Sequence, residues 1–597
     1  MRSRTRGGRT FAALSRALVA GLSVTVLLVG TPTAVSAQPG GGQHGGGPRL
    51  ERLDRGLVAV ATPDGVFLSW RLLGDEATGR SRTGLTGADF AVYRDGRRIA
   101  TVTDSTNYLD RSGTATAAYQ VAAVLRGRTG ARGAAVTPWA DGHRDLPLRR
   151  PAAGVTPTGE AYTYSASDLS VDVYAPARST RNVLRAFQGF VVDGPEYLTV
   201  FDGATGRELQ TVRYKPGRHD DGLMWGDYAM SRIEPANRVD RFLAGVAYLD
   251  GRHPSAIFAR GYYTRATLVA YRWDGRRLRE DWYVDSGWVP MTNPFNDSPH
   301  GREGTDPEYG TLTTQGAHSL SVADVDADGK QEIVYGGATI DHDGSLLYSS
   351  YGVLPAGSAN PGARAKVGHG DAMHVTDIDP ARPGLEIFMV HEGATGAPYG
   401  YALRDARTGE VIYGGYTGVD TGRGMVGDVV PAEPGLETWA TVVGGQPDGP
   451  GLRTADGDLL GTVIPGTNQS IRWAADMTTQ IVNGAGEVTP SIDDWQRGRL
   501  LTADGTRTNN GTKGNPGLVA DVLGDWREEL LTRTVDSSAI RIYLSTEPTD
   551  RKLFTLMHDP QYRVEVARQQ TTYNQPSYLS FYLGSDIDWS QVPLPGR

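Results

Sequence analysis

The chain has 597 residues, no cysteine and a formal net charge of -8. The absence of cysteine excludes disulfide bonds and cysteine-ligated zinc, so oxygen donors are the metal ligands to look for. The charge is modest and no block of lysine or arginine follows the first residues, which excludes nucleic acid as an expected partner.

The N-terminus predicts a signal peptide over residues 1–37. Four arginines among the first nine residues precede an apolar stretch from Ala17 to Gly30 and a cleavage site of small residues that ends at Ala37. A later membrane span would need roughly 18 consecutive apolar residues, and no later segment has them. We therefore expect a secreted, extracellular protein that has no membrane contact after cleavage.

The next two regions predict a linker and a small β domain. Residues 38–48, QPGGGQHGGGP, have no apolar side chain to bury and predict a flexible linker. Within residues 49–140 the segments GLVAVAT, VFLSWRLL, DFAVYRDGRRIA and AAYQVAAV alternate apolar with polar residues between glycine turns. This pattern is typical of a fibronectin-like or immunoglobulin-like β-sandwich. The alternative is that these strands begin the larger β body that follows.

Residues 150–597 contain a repeat of strand, acidic loop and strand. The clearest copy is SVADVDADGKQEIVY, from Ser321 to Tyr335, and the acidic loops of the copies begin near residues 248, 324, 377, 428 and 521. Repeats of this spacing, with 78 glycines and 34 prolines as turn punctuation, predict an all-β fold, specifically a β-propeller of four-stranded blades. A stacked sandwich or a β-helix is the alternative, although a β-helix turn is much shorter than about 50 residues.

The acidic loops predict calcium sites. In the clearest copy Asp324, Asp326 and Asp328 alternate, a glycine follows, and Glu332 comes soon after. Calcium takes six to eight oxygen ligands at about 2.3 to 2.6 Å, which such a loop nearly supplies. Two further copies have fewer acids, Asp377, Asp379 and Glu386 in one and Asp521, Asp525 and Glu529 in the other. The alternative is that these carboxylates only cap turns, and a bound ion would also be compatible with a purely structural role.

Several longer motifs go beyond a generic repeat. They are RVDRFLAGVAYLD (Arg238 to Asp250), ARGYYTR (Ala259 to Arg265), GHGDAMH (Gly368 to His374), NNGTK (Asn509 to Lys513), LGDWREE (Leu523 to Glu529), MHDPQYR (Met557 to Arg563) and YNQP (Tyr573 to Pro576). Together they resemble the rhamnogalacturonan lyases of polysaccharide lyase family 11, in the same order along the chain. The resemblance implies an eight-bladed calcium-binding propeller that cleaves the rhamnose–galacturonate backbone of pectin by β-elimination.

The resemblance also implies site residues. Lys513 would be the base or charge neutraliser, Arg423 the carboxylate clamp, and Tyr573 a substrate contact or proton donor, while Asn510, Gly511 and Thr512 would contact the substrate. Removing the C5 proton of galacturonate builds negative charge beside a carboxylate, so cations must touch that group. Without the family, each residue has a plainer interpretation: Arg423 pairs with Asp428 or Asp420, Lys513 is a solvated turn lysine, and Tyr573 belongs to the core.

Four histidines recur beside the acidic loops, at positions 318, 369, 374 and 391. Histidine is a poor calcium ligand, so we expect hydrogen-bonding roles for them. His369 and His391 are the exceptions, since we assign both to the neighbourhood of the active-site ion.

The chain departs from the family at two places. Only about thirty residues separate Tyr164 from Gly194, where the family carries a longer segment with an acidic loop, so a first blade would be shortened. The segment RWAADM, Arg472 to Met477, stands where the family has Trp-Trp-Asp-Gly-Asp-Leu. These changes keep open a second function, a calcium-stabilised propeller that binds pectic polysaccharide without cleaving it. For either function we expect a monomer.

Overall fold

The computed structural model describes residues 50, 52–157, 159–166, 185–187, 190–193, 195–217, 242–262, 265–288, 302–358, 360–392, 397–441, 450–486, 488–569, 571, 573 and 575–595. The predicted signal peptide and linker lie outside these residues, as does most of the short segment that follows Tyr164. The predicted all-β class is confirmed, since the described residues contain 42 strands and one α-helix. No described helix has the length and apolar character needed to cross a membrane.

The N-terminal region contains nine strands. They are β1 (Val58–Thr62), β2 (Gly65–Ser69), β3 (Ala77–Arg80), β4 (Leu85–Gly87), β5 (Asp89–Arg94), β6 (Arg97–Val102), β7 (Asn107–Asp110), β8 (Tyr119–Leu125) and β9 (Arg128–Thr129). They form the sheets β1-β2-β7 and β6-β5-β8-β9 and the hairpin β3-β4. Asp95 and Gly96 join β5 to β6 with φ of 49° and 79°, the left-handed turn that suits a tight hairpin. Strands therefore form in each of the four segments where the alternation predicts them.

Seven short strands follow. They are β10 (His143–Pro147), β11 (Gly154–Val155), β12 (Ala161–Tyr162), β13 (Arg185–Phe187), β14 (Phe190–Asp193), β15 (Tyr197–Phe201) and β16 (Glu208–Arg213). All but β10 pair with their immediate neighbour in the chain as two-stranded hairpins.

Five antiparallel four-stranded sheets then succeed one another. Sheet 1 contains β17 to β20 (Phe242–Ala247, Ser255–Arg260, Thr267–Trp273, Leu278–Asp285), and sheet 2 contains β21 to β24 (Gly316–Ala323, Glu332–Gly336, Ala338–Ile340, Leu346–Ser349). After the hairpin of β25 (Tyr351–Val353) and β26 (Arg364–Lys366), sheet 3 contains β27 to β30 (Ala372–Thr376, Glu386–Val390, Tyr401–Asp405, Val411–Gly415). Sheet 4 contains β31 to β34 (Arg423–Gly427, Glu437–Thr441, Gly451–Arg453, Leu459–Gly461), and sheet 5 contains β35 to β38 (Gln469–Ile471, Gln480–Asn483, Ser491–Asp494, Gly498–Thr502).

Sheet 6 combines both parts of the chain. Its strands are β39 (Thr506–Arg507), β40 (Leu518–Ala520), β41 (Glu529–Thr534) and β42 (Ala539–Tyr543), together with β10. Strand β10 pairs antiparallel with β42, from His143 opposite Tyr543 to Pro147 opposite Ala539. A strand from the N-terminal region thus completes the last sheet.

The leading strands of the six sheets lie side by side, where the leading strand is the first one in sheets 1 to 5 and β40 in sheet 6. β17 contacts β21, and the contacts continue through β27, β31 and β35 to β40. In sheets 2 and 3 the first two strands are fully buried while the fourth is half-buried throughout. The leading strands therefore meet in the interior of the molecule.

The single α-helix, α1 (Pro560–Arg568), packs against β17 and β21. Asp559 caps it by accepting the Tyr562 amide at 2.7 Å, and proline at the first position suits a helix start. Four 3₁₀ turns accompany it, at Gly74–Glu76, Gly310–Leu312, Gly511–Lys513 and Leu556–His558.

The largest core cluster joins the two ends of the chain. It contains Trp70, Phe90 and Tyr119 from the N-terminal strands and Trp526 and Phe554 from the C-terminal region, all fully buried. By its contacts the whole segment Gly46–Arg597 forms one unit. The N-terminal strands are therefore packed into the same core as the last sheet.

Candidate active site and cation-binding loops

The loop between β39 and β40 holds Lys513 in place. Its ends are joined by two backbone hydrogen bonds between Asn509 and Asn515, of 2.8 and 3.0 Å. Asn510 is exposed and has φ 61° and ψ 44°, a left-handed conformation that asparagine tolerates, and it leads into the turn Gly511–Lys513. Of Thr512 only the backbone is described. The predicted substrate contacts thus lie on the tip of a closed loop.

Arg423 reaches this loop from the start of β31. Its Nη2 donates to the carbonyl of Lys513 at 3.2 Å, and the Nδ2 of Asn468 donates to the same carbonyl at 2.8 Å. Burial lowers the pKa of Arg423, although a guanidinium stays charged at neutral pH. Asp428, one partner considered above, instead accepts the amide of Ser585 at 2.5 Å. Arg423 therefore holds the backbone of Lys513 in place, so the two cationic residues lie next to each other.

Tyr573 lies between a lysine and a histidine. The Nζ of Lys513 is 3.8 Å from the centroid of the Tyr573 ring, and the Arg423 guanidinium carbon is 6.0 Å from it. The imidazole of His318 stacks on the same ring at 4.3 Å and 11°. The three predicted catalytic residues are thus brought together, with the ammonium placed by a cation–π contact.

A group of four potential metal ligands adjoins Tyr573. One ligand atom each from His318, His369, Asp371 and Glu392 lies within 4.8 Å of the others. His318 Nε2 is 3.1 Å from Asp371 Oδ1, and His369 Nε2 is 3.4 Å from Glu392 Oε1. Two imidazole nitrogens and two carboxylates form a donor set that fits a divalent cation.

The tautomer of His369 supports this fit. Its Nδ1 is 2.5 Å from the carbonyl of Gly316, so Nδ1 carries a proton that it donates there. Nε2 is then the ring nitrogen that faces the Glu392 carboxylate. Tyr262 fixes both rings, since its hydroxyl lies 2.8 Å from His318 Nδ1 and its ring stacks on His369 at 5.0 Å.

Two carboxyls here have opposite pKa shifts. Burial raises the pKa of Asp371, but the hydrogen bond and charge of His318, aided by nearby cations, lower it further, so its pKa falls below the ordinary value. Burial, with repulsion from Asp371 and Glu392, raises the pKa of Asp420 to about 6. Asp371 is therefore ionised over a wider pH range than Asp420.

The other two histidines have hydrogen-bonding roles. Burial lowers the pKa of His374 and of His391 to about 3, so both rings are neutral. His374 Nε2 lies 2.8 Å from the carbonyl of Gly424, and His391 Nδ1 lies 3.0 Å from that of Gly368. His369, but not His391, belongs to the group of four ligands.

The clearest acidic loop brings three of its four predicted ligands together. Atoms of Asp324, Asp326 and Glu332 lie within 4.8 Å of one another. Asp328 belongs to a second group with Glu332 and His342, and it also pairs with Lys330 at 3.2 Å. Burial, with repulsion from the aspartates, raises the pKa of Glu332 to about 9.

The two weaker predicted loops share one feature with it. The first residue of the second strand is a glutamate that accepts backbone amides of the loop, as Glu386 does from Ile378 at 2.9 Å and Glu529 does from Val522 at 2.8 Å. The accompanying acids are Asp377, Asp379, Asp521 and Asp525. Burial raises the pKa of Glu386 to about 7 and that of Asp521 to about 8.

Not every predicted ligand is equally available. Asp525 is paired with the guanidinium of Arg527 at 2.8 Å, so its charge is already compensated. Asp379 accepts the amide of Ala381 at 3.0 Å, and it is buried. The carboxylates most available to a cation are therefore those of the aspartate directly after the leading strand and of the glutamate that begins the next strand.

A fourth loop of this kind follows β31. Asp428 comes directly after β31 and Glu437 begins β32, where its carboxylate accepts the amides of Val429 and Val430 at 2.8 and 2.9 Å. The sequence shows this repeat but predicts no ligands in it, because no aspartate lies between Asp428 and Glu437. Burial raises the pKa of Glu437 to about 8.

Orphaned oxygens show that cations fit these loops. Six carboxylate oxygens are buried without a hydrogen-bond partner among the described residues, and five of them belong to these loops: Asp377 Oδ1, Asp428 Oδ1, Asp521 Oδ1, Glu332 Oε1 and Glu437 Oε1. A buried carboxylate oxygen without a partner is costly, and a hard cation is the ligand that such oxygens accept.

Three ligands of the histidine group were missed by sequence reasoning. His318 was noted without a metal role, and Asp371 and Glu392 were not considered. Two signals could have found them: Asp371 stands two positions after His369, and Glu392 follows His391 directly, both beside strands of sheet 3.

The sequence matches one known family over most of its length. Residues 178–593 match the family described as "Rhamnogalacturonan lyase family 11, C-terminal domain". The chain belongs to rhamnogalacturonan lyase family 11. Residues 48–139 match a second description, "Rhamnogalacturonan I lyases beta-sheet domain".

Two family 11 relatives cover nearly the whole chain. Rhamnogalacturonan endolyase YesW of Bacillus subtilis (strain 168) is 38% identical over 644 residues, which cover 92% of this chain and 94% of YesW. Rhamnogalacturonan exolyase YesX of the same organism is 39% identical over 639 residues, which cover 90% of this chain and 96% of YesX. The crystal structure of exotype rhamnogalacturonan lyase YesX matches with a TM-score of 0.78 at 38% identity, covering 92% of this chain and 99% of that chain.

Proposed function

We propose that this chain is a secreted lyase that cleaves the rhamnose–galacturonate backbone of rhamnogalacturonan I, a pectic polysaccharide, by β-elimination. The observation that carries the proposal is the convergence of Lys513, Arg423 and Tyr573 on one another, beside the His318 group, in a member of family 11. Two relatives of nearly equal identity, named as a rhamnogalacturonan endolyase and exolyase, support the substrate class.

The chemistry requires both a base and positive charge. The base takes the proton at galacturonate C5, the electron pair forms the C4–C5 double bond, and the bond from C4 to the glycosidic oxygen breaks. The leaving oxygen takes up a proton, so atoms and charge balance. Because the C5 proton lies beside a carboxylate, the negative charge that builds there must be compensated during proton removal.

The three residues divide these tasks. Arg423 binds the uronate carboxylate, since a guanidinium presents paired donors to a carboxylate and remains charged. Lys513 neutralises the developing charge as an ammonium, or removes the C5 proton in its neutral amine form. Its backbone is fixed by Arg423 and Asn468. Tyr573 orients the Lys513 ammonium with its ring face and contacts the sugar or supplies the leaving-group proton with its hydroxyl. Asn510, Gly511 and Thr512 contact the substrate from the loop tip.

Calcium is the proposed ion. In the site, Asp371 and Glu392 would hold it with carboxylate oxygens, the ligands that calcium prefers, beside the imidazoles of His318 and His369. The aspartate–glutamate pairs of the loops after β21, β27, β31 and β40 would hold further ions. When bound, calcium supplies positive charge that stabilises the uronate carboxylate in the site and the buried carboxylates in the loops.

The proposed architecture is an eight-bladed propeller over residues 150–597, with a shortened first blade, preceded by a fibronectin-like sandwich over residues 49–140. Six successive sheets whose leading strands lie side by side support the propeller. Strand β10, at residues 143–147 just before that range, completes the sixth sheet and supports a ring. We further propose that the protein acts as a monomer outside the cell.

Absorbance of the conjugated product tests the proposal. Incubation with rhamnogalacturonan I and calcium should raise the ultraviolet absorbance, and a chelator should abolish the rise, because only elimination makes a double bond conjugated with the carboxylate. Chromatography of the products then assigns the cleavage mode, since short products from the start indicate exo action. Binding of the polymer without any rise would identify a polysaccharide-binding protein and overturn the proposal.

A further inference from the structure

The loop between β35 and β36 in sheet 5 has the arrangement of the acidic loops of sheets 2, 3, 4 and 6, but with its charges exchanged. In sheets 2, 3, 4 and 6 an aspartate follows the first strand directly and a glutamate begins the second. In sheet 5 those two positions are Arg472, directly after β35, and Gln480, the first residue of β36. An acidic pair has become a cation and a neutral amide.

The backbone arrangement has nevertheless been kept. Gln480 Oε1 accepts the amides of Trp473 and Ala474 at 2.9 and 2.8 Å. Glu437 makes the same pair of contacts in sheet 4, at 2.8 and 2.9 Å. The two loops are therefore structurally equivalent at the residue that begins the second strand.

The second polar atom of that residue differs. Gln480 Nε2 donates to Thr478 Oγ1 at 2.8 Å and to Asp494 Oδ2 at 3.0 Å. The matching oxygen of Glu437 is buried with no hydrogen-bond partner among the described residues. Sheet 5 thus satisfies internally the position at which sheet 4 has a lone oxygen that fits a cation.

Arg472 supplies the positive charge of this loop. Its Nη1 lies 3.4 Å from Glu528 Oε1 and donates to the carbonyl of Ser577 at 3.3 Å. Its backbone amide donates to Glu528 Oε2 at 2.7 Å, so the same carboxylate binds both ends of the residue. Both side chains are largely buried, at 11% and 3% exposure, where an ion pair is little screened by water.

We propose that the loop from Arg472 to Gln480 binds no cation and that the Arg472 guanidinium takes over the charge-compensating role that calcium has in the other four loops. The β35–β36 strand pair is then stable in the absence of calcium, and Arg472 ties it to the loop of sheet 6 through Glu528. The inference rests on the proposed binding of calcium by the other four loops.

Hydrogen exchange of the full-length protein tests the inference without any substitution. Amides of β35 and β36 should exchange at the same rate with calcium and with chelator, whereas those of β21–β22, β27–β28, β31–β32 and β40–β41 should exchange at least tenfold faster with chelator. Equal acceleration in β35–β36 would overturn the inference alone. No acceleration anywhere would overturn calcium binding by the loops and, with it, the inference.

A gain of binding provides the second test. The double variant Arg472→Asp/Gln480→Glu restores the minimal acidic pair seen as Asp428 and Glu437, so it should bind one more calcium per chain, measured by equilibrium dialysis and elemental analysis. The matched variant Glu437→Gln copies Gln480 into sheet 4 and should bind one fewer. If the folded double variant binds the same number of calcium ions as the wild type, the proposal that Arg472 and Gln480 prevent cation binding by this loop is wrong.

Discussion

At the residue scale, the strongest expectation concerns Lys513. Replacing it by alanine should lower kcat by about 10²- to 10⁴-fold, the usual contribution of a positioned acid or base. No other described ammonium contacts the Tyr573 ring, so no second lysine is placed to take over this role. Initial rates of product absorbance measure the effect. Lys215→Ala removes an ammonium that pairs with Glu280 at the surface and should leave kcat unchanged. Wild-type turnover in Lys513→Ala would remove lysine from the mechanism.

Tyr573 has a ring and a hydroxyl that two substitutions separate. Tyr573→Phe keeps the face that contacts Lys513 and His318, whereas Tyr573→Leu removes it. Since cation–π contacts contribute about 0.5 to 2 kcal/mol, we expect the leucine variant to lose up to about 30-fold more activity than the phenylalanine variant. Equal losses in kcat for both variants would assign the contribution to the hydroxyl.

The residues show where sequence reasoning succeeds and where it stops. Lys513, Arg423 and Tyr573 come from separate segments, and only the family resemblance joined them; the structure then placed them in contact. Asp324, Asp326 and Glu332 could be predicted as a cluster because they lie on one short loop. His318, Asp371 and Glu392 escaped because they meet only when sheets 2 and 3 pack, and no spacing along the chain reports such a meeting.

At the element scale, the acidic loops should couple stability to pH and to calcium. Glu386, Asp521 and Glu437 have folded pKa values of about 7, 8 and 8, raised by burial above ordinary values near 4. A carboxyl whose pKa is raised by folding contributes stability below its unfolded pKa, and this contribution is lost as the pH rises through the folded pKa. Without calcium, Tm should therefore fall from about pH 4 to about pH 8.

Calcium should reverse that trend, since it binds the deprotonated carboxylates that are unfavourable alone. Thermal scans with chelator and with calcium, at pH 5 and pH 8, measure both effects. The increase in Tm on adding calcium should be larger at pH 8 than at pH 5. A calcium effect independent of pH would show that these carboxyls do not bind the ion.

The sheets themselves were predictable because strand, acidic loop and strand recur with recognisable residues. The copy in sheet 5 was not recognised as a repeat, because Arg472 and Gln480 replace both acids that mark the others. Its geometry persists without them, since Gln480 accepts the same two loop amides that a glutamate does. The hydrogen bond pattern, rather than the charge, is thus the common property of the loops.

At the scale of the whole molecule, the N-terminal strands are part of the main core. We expect a chain that begins at Gly154 to be insoluble or to unfold at a much lower temperature, because it lacks β10 and the N-terminal share of the largest cluster. Solubility on expression and circular dichroism measure this. A soluble, cooperatively unfolding and active fragment would show that residues 49–140 are dispensable.

A point substitution provides the control for that deletion. Arg541 binds Asp145 across β42 and β10 with contacts of 2.6 and 2.8 Å, on the surface of the sheet. Exposed ion pairs contribute about 1 kcal/mol or less, so Arg541→Ala should shift Tm only slightly. The sequence could not predict this pairing, because a short polar strand such as β10 carries no sign of its distant partner.

The pairing of β10 with β42 also determines when sheet 6 can be completed during synthesis of the chain. Asp145 and its partner Arg541 are 396 positions apart, and a ribosome adding about 5 to 20 residues per second needs roughly 20 to 80 seconds between them. During that interval the nascent chain holds an open strand edge. The exposed, charged side chains of β10 protect such an edge from pairing with another chain until β42 has been synthesised.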